Sequence, residues 1–522
     1  MKLSYTITQN MERNQTMNQT YTELMKYIDK AMAYREALTL FEWDSETLAP
    51  EESMEYTAKT IGIISGEFFN ALINKEVKAL LAELSKEEAQ KDLTFNEKAI
   101  IKNLNKTYEQ MEKIPVKEYT DYRELTAKAS GIWSKAKKNN AYADYAPTLN
   151  QIIEYQKKFA GYRKKEDQQL YNILLDDFEE GFTMEKLDVF FDKVKTSIIP
   201  LLKEITNKKE IDKSYNYLTF AAEKQREFAK FISEYVGFDF KKGVLAESAH
   251  PFTTNLHNHD VRITTHIHEN NLESSIFSVI HECGHGIYEM NIEDSITQTP
   301  VGGGSSMGVH ESQSRFFENM LGRSEAFWVP VYPKLQSMFK EQLEDISLSH
   351  FIEGINKAKP GLIRTEADEL TYSLHIIIRY EIEKMIFNNE VTVEELPVIW
   401  NQKYKEYLGI EPANDSEGIL QDIHWSGGSF GYFPSYAIGS AVAAQIYHHL
   451  ETVLPVKDYL LEGNLSPVKD YLCEHIHKFG ATKNTTELLT DMMGEDLNAD
   501  YYVNYLTEKY TKLYEIDGSL LN

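Results

Sequence analysis

VIHECGHGIYEM, residues 279–290, sets two imidazoles four positions apart with a carboxylate beside the first. On an α-helix, positions i and i+4 share a face and are separated by about 6 Å of rise, so His281 and His285 can grip one ion between them. Neutral imidazole is a good Zn2+ ligand, and a catalytic zinc site takes three protein ligands so that water keeps the fourth position. Glu282 then stands where it can accept a proton from that water as a polarised carbonyl is attacked. The competing reading is an ordinary helix with exposed histidines. Gly284 and Gly286 count against it, because each costs about 0.8–1.0 kcal/mol relative to Ala inside a helix and a close approach by another segment should offset the loss.

The third ligand has to come from elsewhere. A metzincin continuation would place glycine and histidine where this chain has Tyr288 and Asn291, which excludes that branch. Nearby acids are Glu289, Glu293 and Asp294; after a glycine loop, TPVGGGSSMG (299–308), comes GVHESQSRFFENM (308–320). Its apolar residues Val309, Phe316, Phe317 and Met320, with Leu321 beyond, predict a second helix packed on the first, and Glu311 on it is the chosen ligand. The bland alternative pairs Glu311 with Arg315 at i+4, worth only about 0.2–0.5 kcal/mol. His310 is either a donor to the ligand set or a substrate contact.

The rest of the chain narrows the function class. Among 522 residues, 55 Lys and Arg face 81 Asp and Glu, and the formal charge of −26 opposes nonspecific binding to nucleic acid or anionic lipid. Two cysteines, Cys283 and Cys473, make no disulfide framework and fit a reducing compartment. No apolar run reaches the length of a membrane span, and the first twenty residues lack the apolar core of a signal peptide. The expectation is a cytoplasmic, soluble protein. From Tyr21 to about Tyr235, apolar residues recur at three and four positions, the pattern of amphipathic helices, with Pro50, Pro115, Pro147 and Pro200 as stops or first-turn residues. The clearest strand is DVRITTHIH (260–268), where Val261, Ile263, Thr265 and Ile267 alternate with polar neighbours. PVKDYL, at 455–460 and again at 467–472, reads as a local duplication in a surface turn.

Five motifs together, DVRIT (260–264), HECGH (281–285), HESQ (310–313), IRTEAD (363–368) and GILQDIHW (418–425), resemble the carboxypeptidase Taq family of zinc peptidases. HPFTT (250–254), FGYFPSYAIG (430–439) and EWDSETLAP (42–50) are also similar to family segments, so the likeness covers nearly the whole chain after residue 20. The resemblance implies a mainly α, elongated, gluzincin-like fold with a deep substrate groove and a small β-sheet near the active site. It further implies a homodimer that removes single residues from peptide C-termini with broad tolerance and poor action after proline. Carried over to this sequence, His281, His285 and Glu311 are the metal ligands and Glu282 the general base. Zn2+ is the expected cofactor, with Co2+ or another divalent ion as alternatives. Residues 21–522 are expected to form one helical metallopeptidase domain, and residues 1–20 a disordered or non-native extension.

A carboxypeptidase must recognise a free α-carboxylate, which the guanidinium fork does bidentately. Arg364 is the first candidate, expected to open a helix, IRTEADELTYSLHIII, where its competing role is an ion pair with Asp368 at i+4. Arg262, on the polar face of the predicted strand, either blocks the groove end and sets substrate length or bridges to Asp260. His424 and Tyr432, near the glycine-rich turn WSGGSFGYF, are candidate donors to the developing oxyanion, although a lone His or Tyr is more often a satisfied structural group. His250 is a weaker substrate contact, and Trp425, Phe430 and Phe433 read as pocket walls or core. Two other functions compete: an oligopeptidase or dipeptidyl carboxypeptidase with the same metal site, and a helical peptide-binding scaffold with a structural metal. Glu282 speaks against the scaffold, since a structural site closes all four positions and needs no base.

Overall fold

The computed structural model describes residues 2–518, with side chains from residue 19 onward except at 51, 54 and 55; the expectation of disorder for residues 1–20 therefore lies almost wholly outside the described side chains. The described residues are mainly helical, with one three-stranded sheet among them. The first helix is Lys2–Thr47, and its buried side chains begin at Leu24 and Ile28. These pack in a smaller core with Ala31, Met32, Ile100 and Leu104, and with Ile292, Ile296 and Val301 from the stretch just past the HECGH segment. A much larger core runs from Tyr122 to Ile516 and encloses the HECGH segment itself. Among the described residues no helix is long and apolar enough to cross a membrane.

The sheet is ordered β1-β3-β2, with β1 (Gly243–Glu247) parallel to β3 (Asp260–Thr265) and β2 (Thr253–His257) antiparallel to it. The predicted strand is thus real but stops at Thr265. Val261 and Ile263 are fully buried as the alternation requires, whereas Thr264 is buried too, because its hydroxyl accepts from Phe252 N (2.9 Å) and meets the Ser248 hydroxyl (2.7 Å). Neither β1 nor β2 carries an alternating apolar pattern, and β2 stands at the sheet edge.

The HECGH helix is Leu272–Met290, capped by the Asn271 side chain, which accepts from Ser274 N. The helix after the glycine loop is Met307–Arg315, capped by Ser306 and continued by a wider π-turn over Phe316–Leu321. They meet at Gly284, while Gly286 faces the Phe238 ring. A Cβ on Gly284 would lie 2.5 Å from the Gln313 carbonyl oxygen and 2.6 Å from Ser314 Cα, and one on Gly286 would lie 2.8 Å from the Phe238 ring. A third helix, Pro434–Val453, approaches the same way: a Cβ on Gly439 would stand 2.6 Å from the Glu311 Cβ. Backbone contact at glycine therefore locks the helices that carry the candidate ligands.

Three expectations are corrected. Pro147 and Pro200 lie inside helices, Tyr142–Arg163 and Met184–Thr206, because tertiary packing outweighs the lost backbone bond. The two PVKDYL copies start short consecutive helices, Val456–Glu462 and Ser466–His475, each burying the Val and the Leu of the hexamer: Val456 and Leu460, then Val468 and Leu472. Arg364 does not open a helix. It sits in a short turn, Arg364–Glu366, and the helix is Glu369–Phe387, with Asp368 as its cap accepting from Thr371 N (3.0 Å).

Candidate active site

His281, His285 and Glu311 come together, with one ligand atom from each lying within 4.8 Å of the others. Glu311 Oε2 is 3.7 Å from His281 Nε2 and 3.6 Å from His285 Nε2. Each ring's other nitrogen is engaged elsewhere. His281 Nδ1 lies 2.8 Å from Glu318 Oε2, so it carries the proton and donates, which leaves Nε2 a bare lone pair. His285 Nδ1 faces His310 Nδ1 at 2.5 Å, and His310 Nε2 reaches Glu289 Oε1 at 2.7 Å. With His310 donating to Glu289, the shared proton belongs to His285 Nδ1, and its Nε2 is bare as well. Three acceptors thus converge with no donor among them, an arrangement that repels itself unless a cation lies between. Tetrahedral bonds of about 2.0–2.1 Å space ligand atoms about 3.4 Å apart, close to the two separations from Glu311, and all three atoms lie within 4.8 Å, so a divalent ion fits the residues with a small inward adjustment of the rings.

The surroundings hold each ligand in place. Arg315 Nε donates to Glu311 Oε1 (2.7 Å), so the i+4 pair exists and occupies one carboxylate oxygen while leaving the other facing the rings. Burial alone would raise the Glu318 pKa, but Arg315, His281 and Arg323 hold it far below the usual carboxylate range. Burial alone would lower the His281 pKa, yet the carboxylates of Glu311 and Glu318 raise it. Burial, with His310, His281 and Arg315, holds His285 well below its ordinary value and therefore neutral. Asn255 on β2 donates to Glu289 Oε2, and Gly304 N donates to its Oε1 (2.9 Å), so Glu289 pins the glycine loop against His310. His310, expected either to donate to the ligand set or to touch substrate, instead accepts from His285 Nδ1 and so orients that ring.

Glu282 faces the same space and is buried, which raises its pKa; Thr253 Oγ1 donates to its Oε2 at 2.5 Å. β2 therefore lies directly beside the carboxylate, the small sheet expected near the site.

A second group approaches through Glu311. The Arg315 guanidinium stacks 4.4 Å from the centre of the Tyr372 ring, and the Tyr372 hydroxyl accepts from Arg364 Nη1 (3.1 Å). Arg364 is buried and pairs with Asp422, Nε at 3.0 Å and Nη2 at 2.9 Å, in place of the expected Asp368. Arg379 holds the other Asp422 oxygen (Nε 2.7 Å). Burial alone would raise the Asp422 pKa, but the two arginines bring it far below the ordinary carboxylate range. His424 packs against Tyr432, Phe433 and Tyr436, its Nε2 is 3.2 Å from the Tyr436 hydroxyl, and its Nδ1 is buried with no hydrogen-bond partner. Burial lowers its pKa to about 4, so the ring is neutral at pH 7. Tyr432 lies edge-on to Tyr436 at 5.2 Å and within the field of Glu311. Trp425, Phe430 and Phe433 are core.

Arg262 bridges Asp260 with two 2.8 Å bonds and lies 5.6 Å from the Trp43 ring of the first helix. The exposed His250 ring contacts none of these groups among the described residues. Sequence reasoning missed Glu318, Thr253, Asp422 and Tyr436, and weighed Glu289 only as a candidate ligand. Glu318 had a signal, standing two helical turns past Glu311 where a carboxylate can serve a ligand's far nitrogen; the others became visible only when distant segments met.

A family model described as Carboxypeptidase Taq (M32) metallopeptidase matches residues 23–510. Carboxypeptidase 1 of Bacillus subtilis is 45% identical over 96% of this chain and 99% of its own length. Thermostable carboxypeptidase 1 of Pyrococcus furiosus is 33% identical over 94% and 99%. The crystal structure of a carboxypeptidase of the same family from Deinococcus radiodurans superposes with a TM-score of 0.92 at 29% identity, covering 95% of this chain and all of that one.

Proposed function

The chain belongs to the carboxypeptidase Taq family of metallopeptidases, and from that premise we propose that it is a zinc-dependent enzyme removing single residues, with broad tolerance, from the C-termini of short peptides. The observation that carries the reading is the convergence of three bare acceptors, His281 Nε2, His285 Nε2 and Glu311 Oε2, beside the buried Glu282 carboxylate. His281, His285 and Glu311 would hold the ion, which supplies Lewis acidity toward the scissile carbonyl and makes water easier to deprotonate. Glu282 takes the proton of the attacking water and passes it to the departing amine; its raised pKa suits both halves of that transfer. Thr253 fixes the carboxylate's direction. His424, neutral, and Tyr432 donate hydrogen bonds as charge grows on the carbonyl oxygen.

Arg364 supplies selectivity for a free C-terminus. Nε and one hydrogen each from Nη1 and Nη2 are spent on Asp422 and Tyr372, which leaves one N–H on each terminal nitrogen for the α-carboxylate. Arg262, held by Asp260, marks the far limit of the peptide. Matched N-blocked peptides ending in a free acid or an amide test this: the acid should be cut and the amide spared. Equal cleavage of both would favour the oligopeptidase reading instead. Restoring chelated protein with one metal at a time distinguishes Zn2+ from Co2+, and a scaffold with a structural metal would release no amino acid under any of them. We also read residues 21–522 as one domain, since the smaller core draws Ile292, Ile296 and Val301 from the chain that continues the HECGH helix. On the family resemblance and two free cysteines we place the protein in the cytoplasm as a homodimer.

A further inference from the structure

The first helix faces the site with one stripe of side chains at three- and four-residue spacing. Ile28 and Met32 pack in the smaller core with Ile296 and Val301, while Trp43, further along, lies against Phe252 (5.6 Å) and Arg262. Between them, on the same stripe, stands Arg35. It is half-buried, and among the described residues it has no ion pair and no hydrogen-bond acceptor for its side chain. Every other described arginine except the exposed Arg123 is paired. In a chain of net charge −26 an unpaired, half-buried guanidinium is unexpected, because nearby carboxylates are plentiful and burying an unpaired charge is costly. Burial lowers its pKa while Glu289 raises it, so the guanidinium lies within the field of Glu289 but beyond ion-pair distance.

Glu289 is two hydrogen bonds from a candidate ligand, through His310 to His285. Arg364 reaches the ligands by another route, through Tyr372 and Arg315 to Glu311. The two arginines therefore connect to different candidate ligands on different helices, Arg35 toward His285 and Arg364 toward Glu311. If Arg364 takes the C-terminal carboxylate, Arg35 falls on the side of the residues that precede the cleaved bond.

We propose that Arg35 is a specificity residue that binds a carboxylate side chain of the peptide, Asp or Glu, N-terminal to the bond being cut. The proposal rests on the carboxypeptidase reading above. Its test uses N-blocked peptides of one length that carry a single Glu, or Gln in its place, at each position upstream of the C-terminal residue. The wild-type protein should show at least a tenfold higher kcat/KM for Glu over Gln at one position, carried mainly by KM. Arg35→Gln should bring that ratio to within about twofold and leave the Gln peptides as before, and Arg35→Glu should turn the preference toward a Lys peptide. Equilibrium binding of the same peptides to the Glu282→Gln protein should show the same ordering, independent of turnover. An equal loss for Glu and Gln peptides in Arg35→Gln would mean that Arg35 only balances Glu289, and no Glu preference in the wild type would overturn the proposal with the carboxypeptidase reading intact. Release of no C-terminal residue from any peptide would remove the reading on which both stand.

Discussion

Gly284→Ala tests whether helix contact places the third ligand. The added methyl would sit 2.5 Å from the Gln313 carbonyl oxygen and 2.6 Å from Ser314 Cα, both backbone atoms, which a rotamer change cannot clear. Ordinary contact begins near 3.4 Å, so the Met307–Arg315 helix must retreat by about 0.9 Å. Metal-ligand distances tolerate only about ±0.2 Å, so Glu311 on that helix leaves its place even if half the strain is absorbed elsewhere. Overpacking of this kind costs about 1–3 kcal/mol, against about 0.8–1.0 kcal/mol gained from better helix propensity. The variant should therefore be at most about 2 kcal/mol less stable, yet should bind Zn2+ at least about tenfold more weakly in a chelator competition. Gly303→Ala is the control, since its Cβ would meet only Glu289 Oε1, at 4.0 Å, and both properties should stay unchanged. Wild-type zinc affinity in Gly284→Ala, with or without a lowered melting point, would refute the argument that this contact positions Glu311.

Glu282→Gln should retain the ion by metal analysis and lose about 10²–10⁴-fold in peptide hydrolysis; normal turnover in the loaded variant excludes Glu282 as base. Glu318→Gln replaces the charged acceptor of His281 with a neutral amide oxygen and leaves Arg315 and Arg323 short of a buried counter-charge, so zinc affinity should fall about 10–100-fold and stability in urea by about 3–5 kcal/mol. His285→Ala should lose the ion on dialysis, and full retention would remove it from the ligands. His477 is fully buried, and burial pushes its pKa down to about 3. The unfolded chain then binds the extra proton below about pH 6.5, so stability is complete above that value and about 3 kcal/mol is lost by pH 4. His477→Gln should flatten the urea midpoint across this range, and an unchanged slope would contradict the assignment.

The convergence of His281, His285 and Glu311 was legible because its chemistry is local in part. Two imidazoles at i and i+4 can be read from a helix alone, and Gly284 and Gly286 announced close neighbours that proved to be Gln313, Ser314 and Phe238. Glu311 required a choice among acids, made possible by the apolar rhythm of its segment. What stayed hidden depended on pairing across the chain. Asp422 lies 58 residues from Arg364, so the nearer Asp368 was the natural partner by spacing, whereas it caps the next helix instead. Strands β1 and β2 carry no pattern of their own, because β3 supplies their register and a helix covers one face. Arg35 gave no signal either: an arginine among amphipathic helices looks paired until the fold shows otherwise.

Glu311, Arg315, Glu318 and Arg323 alternate in sign and touch in series, Glu311 to Arg315 at 2.7 Å, Arg315 to Glu318 at 3.4 Å and Glu318 to Arg323 at 3.1 Å. The two carboxylates are buried and the two guanidinium groups only partly exposed, so a change at one member leaves the next short of its partner. Divergence at these four places should therefore proceed by compensated double steps, and a library that varies them singly would sample mostly weakened proteins.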